Sequence, residues 1–260
     1  MSEKALAKGF LENLKNLSKD KKLSQASKTI EKSIVSGNRV AMQQALDQYV
    51  DHLSDIVLGH ATQVIQTPAF AALDAEGKAT MIRKYLSMGA KVGYAESSTA
   101  TLKVYQELLK SVGLVTSPSP GKMDPDRLKG AVAGSIKHAI ADDGRLETSM
   151  RDSFNQIIRS GTRDTIAATS AKIEAKTGQS ILVKRVTGGD PCKYCADHSG
   201  TWFKADTHEN FSRYHDSCKC SIEMKVGQLS RAERALESEY SYDDFRQDSE
   251  IIEDFEDLDL

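Results

Sequence analysis

Cysteine is absent from the first 191 residues of this 260-residue chain, aromatic residues make up only 6%, and tryptophan occurs once. No apolar run approaches the ~20 residues that a membrane-crossing helix needs. The N-terminus, MSEKALAKGFLENLKNLSKDKK, has no apolar h-region of a secretion signal, so the chain is expected to act, at least at first, where it is made. Proline is also scarce, at five residues, and three of the five fall in one short stretch, GLVTSPSPGKMDPD at 113–126. Few aromatics alongside abundant Ala, Lys, Glu and Ser point to helix. With 39% hydrophobic and 28% charged residues, the composition is that of a soluble globular protein of one large or two ordinary domains.

Net charge is −2, but it is unevenly spread. Residues 237–260 hold eleven acidic side chains against one basic, Arg246, so this stretch carries −10 and the preceding 236 residues carry +8. A basic body permits nucleic-acid contact without requiring it, because solvated Lys-rich helix faces give the same count. Tyr240, Tyr242, Phe245, Ile251, Ile252, Phe255 and Leu258 lie among the carboxylates. That mixture suits a disordered peptide that docks into a basic, partly hydrophobic groove, and equally a solubilising end. One consequence would be a tail that masks a basic surface until DNA or a partner displaces it.

The hydrophobic pattern is helical over most of the chain. Leu6, Phe10, Leu14 and Leu17, then Leu23, Ile30 and Ile34, give two short amphipathic helices over 3–36, interrupted near Ser18 to Lys22. Leu46, Tyr49, Val50, Leu53, Ile56 and Val57 mark a helix from about Arg39 to Ile65, ended or bent at Pro68. From Asp74, Met81, Ile82, Tyr85, Leu86 and Val92 lead to Leu102, Tyr105, Leu108, Leu109 and Val112, with a break or a close helix crossing expected at Gly89 and Gly93. Helix resumes at about 125–141, turns at 142–144, and runs again from Leu146 to a C-cap at Gly178. The period then changes: 180–186 alternates as a strand, followed by candidate strands at 201–204 and 221–226 and a short helix at about 230–239.

The expected fold class is therefore α+β, mainly α. A helical body at 1–112 is followed by a Pro/Gly-rich loop or hinge at 113–126 and a helical part at 127–180. A small antiparallel-sheet module at 181–227 and a short helix with the acidic tail at 228–260 complete the division.

All four cysteines lie in that module. Cys192-x2-Cys195 and His215-x2-Cys218-x-Cys220 form two tight ligand clusters separated by nineteen residues, the arrangement a tetrahedral zinc knuckle requires. Zinc takes four ligands and five are on offer. Cys192 and Cys195 pair through their turn, and two of His215, Cys218 and Cys220 complete the site. Two disulfides or four idle thiols are the alternatives, of which disulfides are disfavoured without a secretion signal. A site closed by four protein ligands has no open position and stabilises a fold instead of activating water. A module of some forty residues has little core of its own, and structural zinc binding is worth on the order of 10 kcal/mol or more. Trp202 and Phe203 are expected to pack over the metal module, with stacking on bases as a second role.

An HNH-type nuclease also combines Cys-x2-Cys with an Asp-His, an Asn and a later His, here Asp197-His198, Asn210 and His215. That family usually carries a second Cys-x2-Cys beside its final His, whereas this chain has Cys-x-Cys after a His that is itself a candidate ligand. No Ser, His or Asp stands in a nucleophile setting such as Gly-x-Ser-x-Gly. A free-standing zinc-knuckle DNA-binding protein is a further alternative.

The runs GTRDTI (161–166), RVTGGDPCKYCADHSGTWF (185–203) and YHDSCKC (214–220) together resemble the C-terminal module of tailed-phage minor head proteins of the Mu F-like head morphogenesis type. The resemblance covers about Ser160 to Val226. It implies a non-enzymatic virion or procapsid-interior component, assembled in the host cytoplasm and placed near the portal. It implies portal, major capsid or scaffolding protein as partners, DNA as a further candidate, and roles in head assembly, DNA packaging or ejection. Two departures are His198 with Ser199, where relatives often have an apolar residue, and the loose Gly-Gly before Asp190; neither removes a candidate ligand.

Overall fold

The structure is a computed structural model that describes residues 3–111, 113–187, 196, 199–204 and 221–228. Its helices are α1 (Glu3–Lys15), α2 (Lys21–Ser36), α3 (Arg39–Ile65), the single turn α4 (Pro68–Ala71), α5 (Ala75–Ser111), α6 (Pro125–Ala141) and α7 (Leu146–Thr177). Three strands follow: β1 (Ser180–Val186), β2 (Trp202–Lys204) and β3 (Ser221–Gly227). A mainly helical chain with a small antiparallel sheet is what the periodicity implies. The expected helix at 230–239 and the acidic tail lie outside the described residues.

Local chemistry sets the element boundaries. A 3-10 turn at Leu17–Lys19 separates α1 from α2, and the Asp20 carboxylate then accepts from the N–H groups of Lys22 and Leu23 to start α2. Asn38 caps α3 through the Ala41 N–H. Pro68 does not bend α3 but opens α4, with Thr67 as the cap, because proline suits the first turn of a helix where its missing N–H has no partner to lose. Gly178, at φ 69°, ends α7 in the left-handed conformation that glycine adopts without strain.

Of the two expectations at Gly89 and Gly93, the close crossing holds and the break does not: α5 continues through both as one helix of 37 residues. A Cβ at Gly89 would stand 2.7 Å from a Phe154 ring carbon, and one at Gly93 2.5 Å from the end of Ile158. From the other side, a Cβ at Gly161 of α7 would lie 2.5 Å from the Tyr94 carbonyl oxygen. Glycine costs each helix about 1 kcal/mol of propensity, and at these positions it permits the two backbones to approach. Hydroxyls then fill the seam. Ser97 Oγ donates to the Ile158 carbonyl at 2.6 Å, Ser98 and Thr165 hydroxyls meet at 2.7 Å, and Thr101 lies 3.1 Å from Thr162.

The loop at 113–124 is not helical, as its prolines require, and it is strapped along α7. Ser119 N–H donates to Thr169 Oγ1 at 3.0 Å, Gly121 N–H to Thr165 Oγ1 at 3.1 Å, and Lys172 Nζ to the Ser117 carbonyl at 2.9 Å. One hydrophobic core runs from Phe10 of α1, edge-on to Tyr85, through Leu46, Leu53, Phe154 and Ile158 to Ile181 of β1 and Phe203 of β2. The helical segments on both sides of the strap therefore share one core with the sheet.

Between α3 and α7, Arg159 forms an ion pair with Asp51, and Asp47 accepts from the Gln43 amide at 3.2 Å. Burial pushes the Asp47 carboxyl up to about 7, although the Gln43 bond and Arg159 oppose the shift. Burial also raises Asp51.

Two predictions follow from these contacts. Gly161→Ala is expected to destabilise the fold by about 2–4 kcal/mol in urea unfolding, because the clashing atoms include backbone. Gly130→Ala, on α6 with open space around it, is expected to stabilise by about 0.5–1 kcal/mol; equal effects at the two sites would contradict the crossing. For Asp47, a folded pKa above the unfolded 3.8 means that the native state keeps a proton the unfolded chain has lost. Its contribution therefore favours folding at low pH, fades as pH rises from about 4, and is gone above about 7. Asp47→Asn should flatten that part of the stability profile and raise stability at pH 8 by on the order of 2–4 kcal/mol; an unchanged profile would contradict the assignment.

Candidate functional site

The three strands pair in the order β2-β1-β3, both pairs antiparallel. Val183 lies opposite Phe203 and Met224, and Lys184 opposite Trp202 and Glu223. Successive residues on a strand alternate between faces, so one face carries Ile181, Phe203 and Val226. The other carries Leu182, Lys184, Trp202, Lys204 and Lys225.

That alternation separates the two aromatics expected to pack over the metal module. Phe203, 6% exposed, belongs to the core shared with the helices. Trp202 is half-buried on the opposite face, where Lys225 Nζ lies 4.2 Å and Lys184 Nζ 4.8 Å from its ring centroid. Trp202 on β2 and Lys225 on β3 meet across the central strand, on the side where Leu182 is fully buried. Ammonium groups are drawn to the indole face by its quadrupole, most strongly to tryptophan among the aromatics. Lys204, the third lysine of this face, pairs with Glu174 of α7 at 2.8 Å.

The sheet is tied to the helical body at a second point. Ser170 of α7 accepts from the Ile181 N–H at 3.2 Å and lies 3.4 Å from the Ile181 carbonyl. Helix α7 thus positions β1, and β1 positions both neighbours.

The candidate ligands Cys192, Cys195, His215, Cys218 and Cys220 lie outside the described residues, as do His198 and Asn210. The strands that flank them in the chain are described. Ser221 is the register partner of Val186, so the end of β1 and the start of β3 stand side by side. The connection that leaves Val186 carries Cys192 and Cys195, and the one that arrives at Ser221 carries His215, Cys218 and Cys220. Within the first connection the Ser199 N–H bonds the Ala196 carbonyl at 3.2 Å and Gly200 takes φ 81°. It re-enters the sheet at Trp202, opposite Lys184 and near that same end. Both halves of the ligand set are therefore anchored at one end of one sheet. Topology of this kind fits a metal that joins two connections. Among the described residues, no group of three or more His, Cys, Asp or Glu side chains is placed to hold a metal.

The motif GTRDTI has a structural task. Gly161 is the point of closest approach to α5, Thr162 and Thr165 join the hydroxyl seam, and Ile166 is fully buried. Asp164 accepts from the Tyr94 hydroxyl at 2.9 Å and pairs with Arg127 of α6 at 3.3 Å, linking three helices. Burial, with the Asp164 carboxylate beside it, raises the Tyr94 pKa and keeps the phenol protonated as the donor. The contacts that sequence reasoning missed are those of Lys184 and Lys225 with Trp202, which only the pairing register brings together.

No described helix is long and apolar enough to cross a membrane. Comparison with known proteins finds a family model, VG15 protein, matching residues 21–247, which contain the helical body from α2 onward, the sheet and the whole Cys/His segment. No curated protein and no solved structure matches. The match spans most of the chain, and the protein belongs to the VG15 protein family, a viral and phage family.

Proposed function

We propose that this protein is a structural minor component of a phage head, of the Mu F-like head morphogenesis type. It acts without enzymatic activity in procapsid assembly beside the portal. The observation that carries this reading is the phage-family match over residues 21–247, inside which the Cys/His segment lies whole. The portal protein and the major capsid or scaffolding protein are its partners, the procapsid and virion interior its location, and DNA packaging or ejection the stages at which it serves.

In this role the Cys/His segment is a structural zinc site. Cys192 and Cys195 supply one pair of ligands, and two of His215, Cys218 and Cys220 supply the other. Support comes from the pairing of Val186 with Ser221, which starts and ends the two ligand-bearing connections at neighbouring points. Bound zinc would add a link between the two connections to the packing that already joins the sheet to the helices.

Two measurements test these statements separately. The purified chain is expected to hold one zinc, and Cys192→Ser to lose it together with several degrees of thermal stability; unchanged metal content in the variant would remove the zinc site. For the assembly role, a null mutant of the phage gene is expected to leave lysis and tail formation intact but yield empty or misassembled heads. Normal filled heads, or plasmid cleavage by the purified protein that His198→Ala abolishes, would replace this reading with another.

A further inference from the structure

We infer that the acidic segment of this chain, residues 237–260, docks on the tip of the α1–α2 hairpin and covers Lys15, Lys19, Lys21 and Lys22. These four lysines stand close together in the chain, and all of them are exposed. Among the described residues, no ion pair engages any of the four. The one carboxylate of the stretch, Asp20, is committed as the cap of α2, where it accepts from the N–H groups of Lys22 and Leu23. Elsewhere on the helical body, Lys110 pairs with Glu107, Lys129 with Asp126, Arg151 with Glu147 and Arg159 with Asp51.

The tip also sets cations where a helix disfavours them. Lys21 and Lys22 open α2, whose first turn holds no acidic residue, at the positive end of the helix dipole. Asp20 offsets only part of that charge. An anion from outside the hairpin relieves both the repulsion among the lysines and their opposition to the dipole.

Charge complementarity selects the occupant. Residues 237–260 carry eleven carboxylates against one arginine, with Ile251, Ile252, Phe255 and Leu258 among them. Leu11, 37% exposed, stands one turn before Lys15 on the same side of α1, so an apolar side chain is at hand beside the charges.

The chain can also reach the tip. Val57 and Phe154 both meet the Gly89 position, and Asp51 pairs with Arg159, so α3 and α7 run antiparallel. Ser170, which holds Ile181, therefore lies toward the start of α3, and so does Gly227 through its pairing with Ser180. Helix α2 folds back along α3, and its 16 residues set the basic tip about 24 Å beyond that end. Residues 228–236 span up to about 30 Å when extended, enough to bring residue 237 to the lysines. Tethering holds a segment at an effective concentration on the order of millimolar, where contacts too weak for a free peptide suffice. With the segment docked, a polyanion gains these lysines only by displacing it. Head assembly does not require this contact, so its failure leaves that reading intact.

Zero-length cross-linking of the full-length chain with a water-soluble carbodiimide tests the docking, because it joins carboxylates to amines in direct contact. The monomer band is digested and its links are mapped by mass spectrometry. Links from 237–260 are expected at the four tip lysines, roughly fivefold or more above Lys84, Lys103 and Lys176, which are exposed on α5 and α7. They should fall by a similar factor between about 20 mM and about 1 M salt, where the screening length drops to about 3 Å. Lys21→Glu with Lys22→Glu puts carboxylates where the helix dipole favours them, so the thermal transition should hold while links to Lys15 and Lys19 are lost. Links spread evenly over exposed lysines, no links from 237–260 at low salt, or links unchanged by the double substitution would each overturn the docking. Links confined to a dimer band would overturn it too, by making the segment of a second copy the occupant.

Discussion

The close crossing of α5 over α7 is the constraint on which the rest of the structure depends. Gly89, Gly93 and Gly161 let the two longest helices approach until backbone meets side chain, and a ladder of serine and threonine hydroxyls satisfies the polar groups that this approach buries. A seam of this type tolerates little. Enlarging a glycine forces the helices apart, and removing a hydroxyl leaves its partner buried without a bond. Around the seam, α3 and α6 pack on the sides, and Asp164 joins α5, α6 and α7 through Tyr94 and Arg127.

Order passes from the crossing to the sheet along α7. Thr165 belongs to the seam, Thr169 and Lys172 hold the proline-rich strap, and Ser170 and Glu174 reach β1 and β2. Contacts at successive turns of one helix thus serve, in order, the core, the loop and the sheet. At the far end of the sheet Val186 and Ser221 sit side by side, and the two Cys/His runs are attached there. A zinc ion that joined those runs would link the two ends of the sheet's connections to the helical body through β1.

Much of the helical layout was legible in the sequence because apolar periodicity and caps act locally. Gly178 was read as a C-cap, whereas the N-caps Asp20, Asn38 and Thr67 emerge only from the structure. The continuity of α5 through two glycines was not legible, since it depends on Phe154 and Ile158 from another helix standing where side chains would be. Nor was the division of labour between neighbours: Trp202 and Phe203 read as one aromatic pair until strand alternation sent them to opposite faces. The lysines that flank Trp202 come from positions 18 and 23 residues away in the chain, and no local pattern predicts that meeting. The strap at 113–124 was recognisable as non-helical from its prolines, but its fastening to α7 rests on pairings some 50 residues apart.

The proposed zinc site would make the Cys/His segment a clamp at one end of the sheet, with its chemistry that of folding. X-ray absorption at the zinc edge of the purified full-length chain tests this most directly. The account predicts a four-coordinate site with at least two sulfur ligands at ~2.3 Å, the remainder sulfur or histidine nitrogen, and no water oxygen. A site that retains a bound water, or a chain that takes up no zinc, would contradict it.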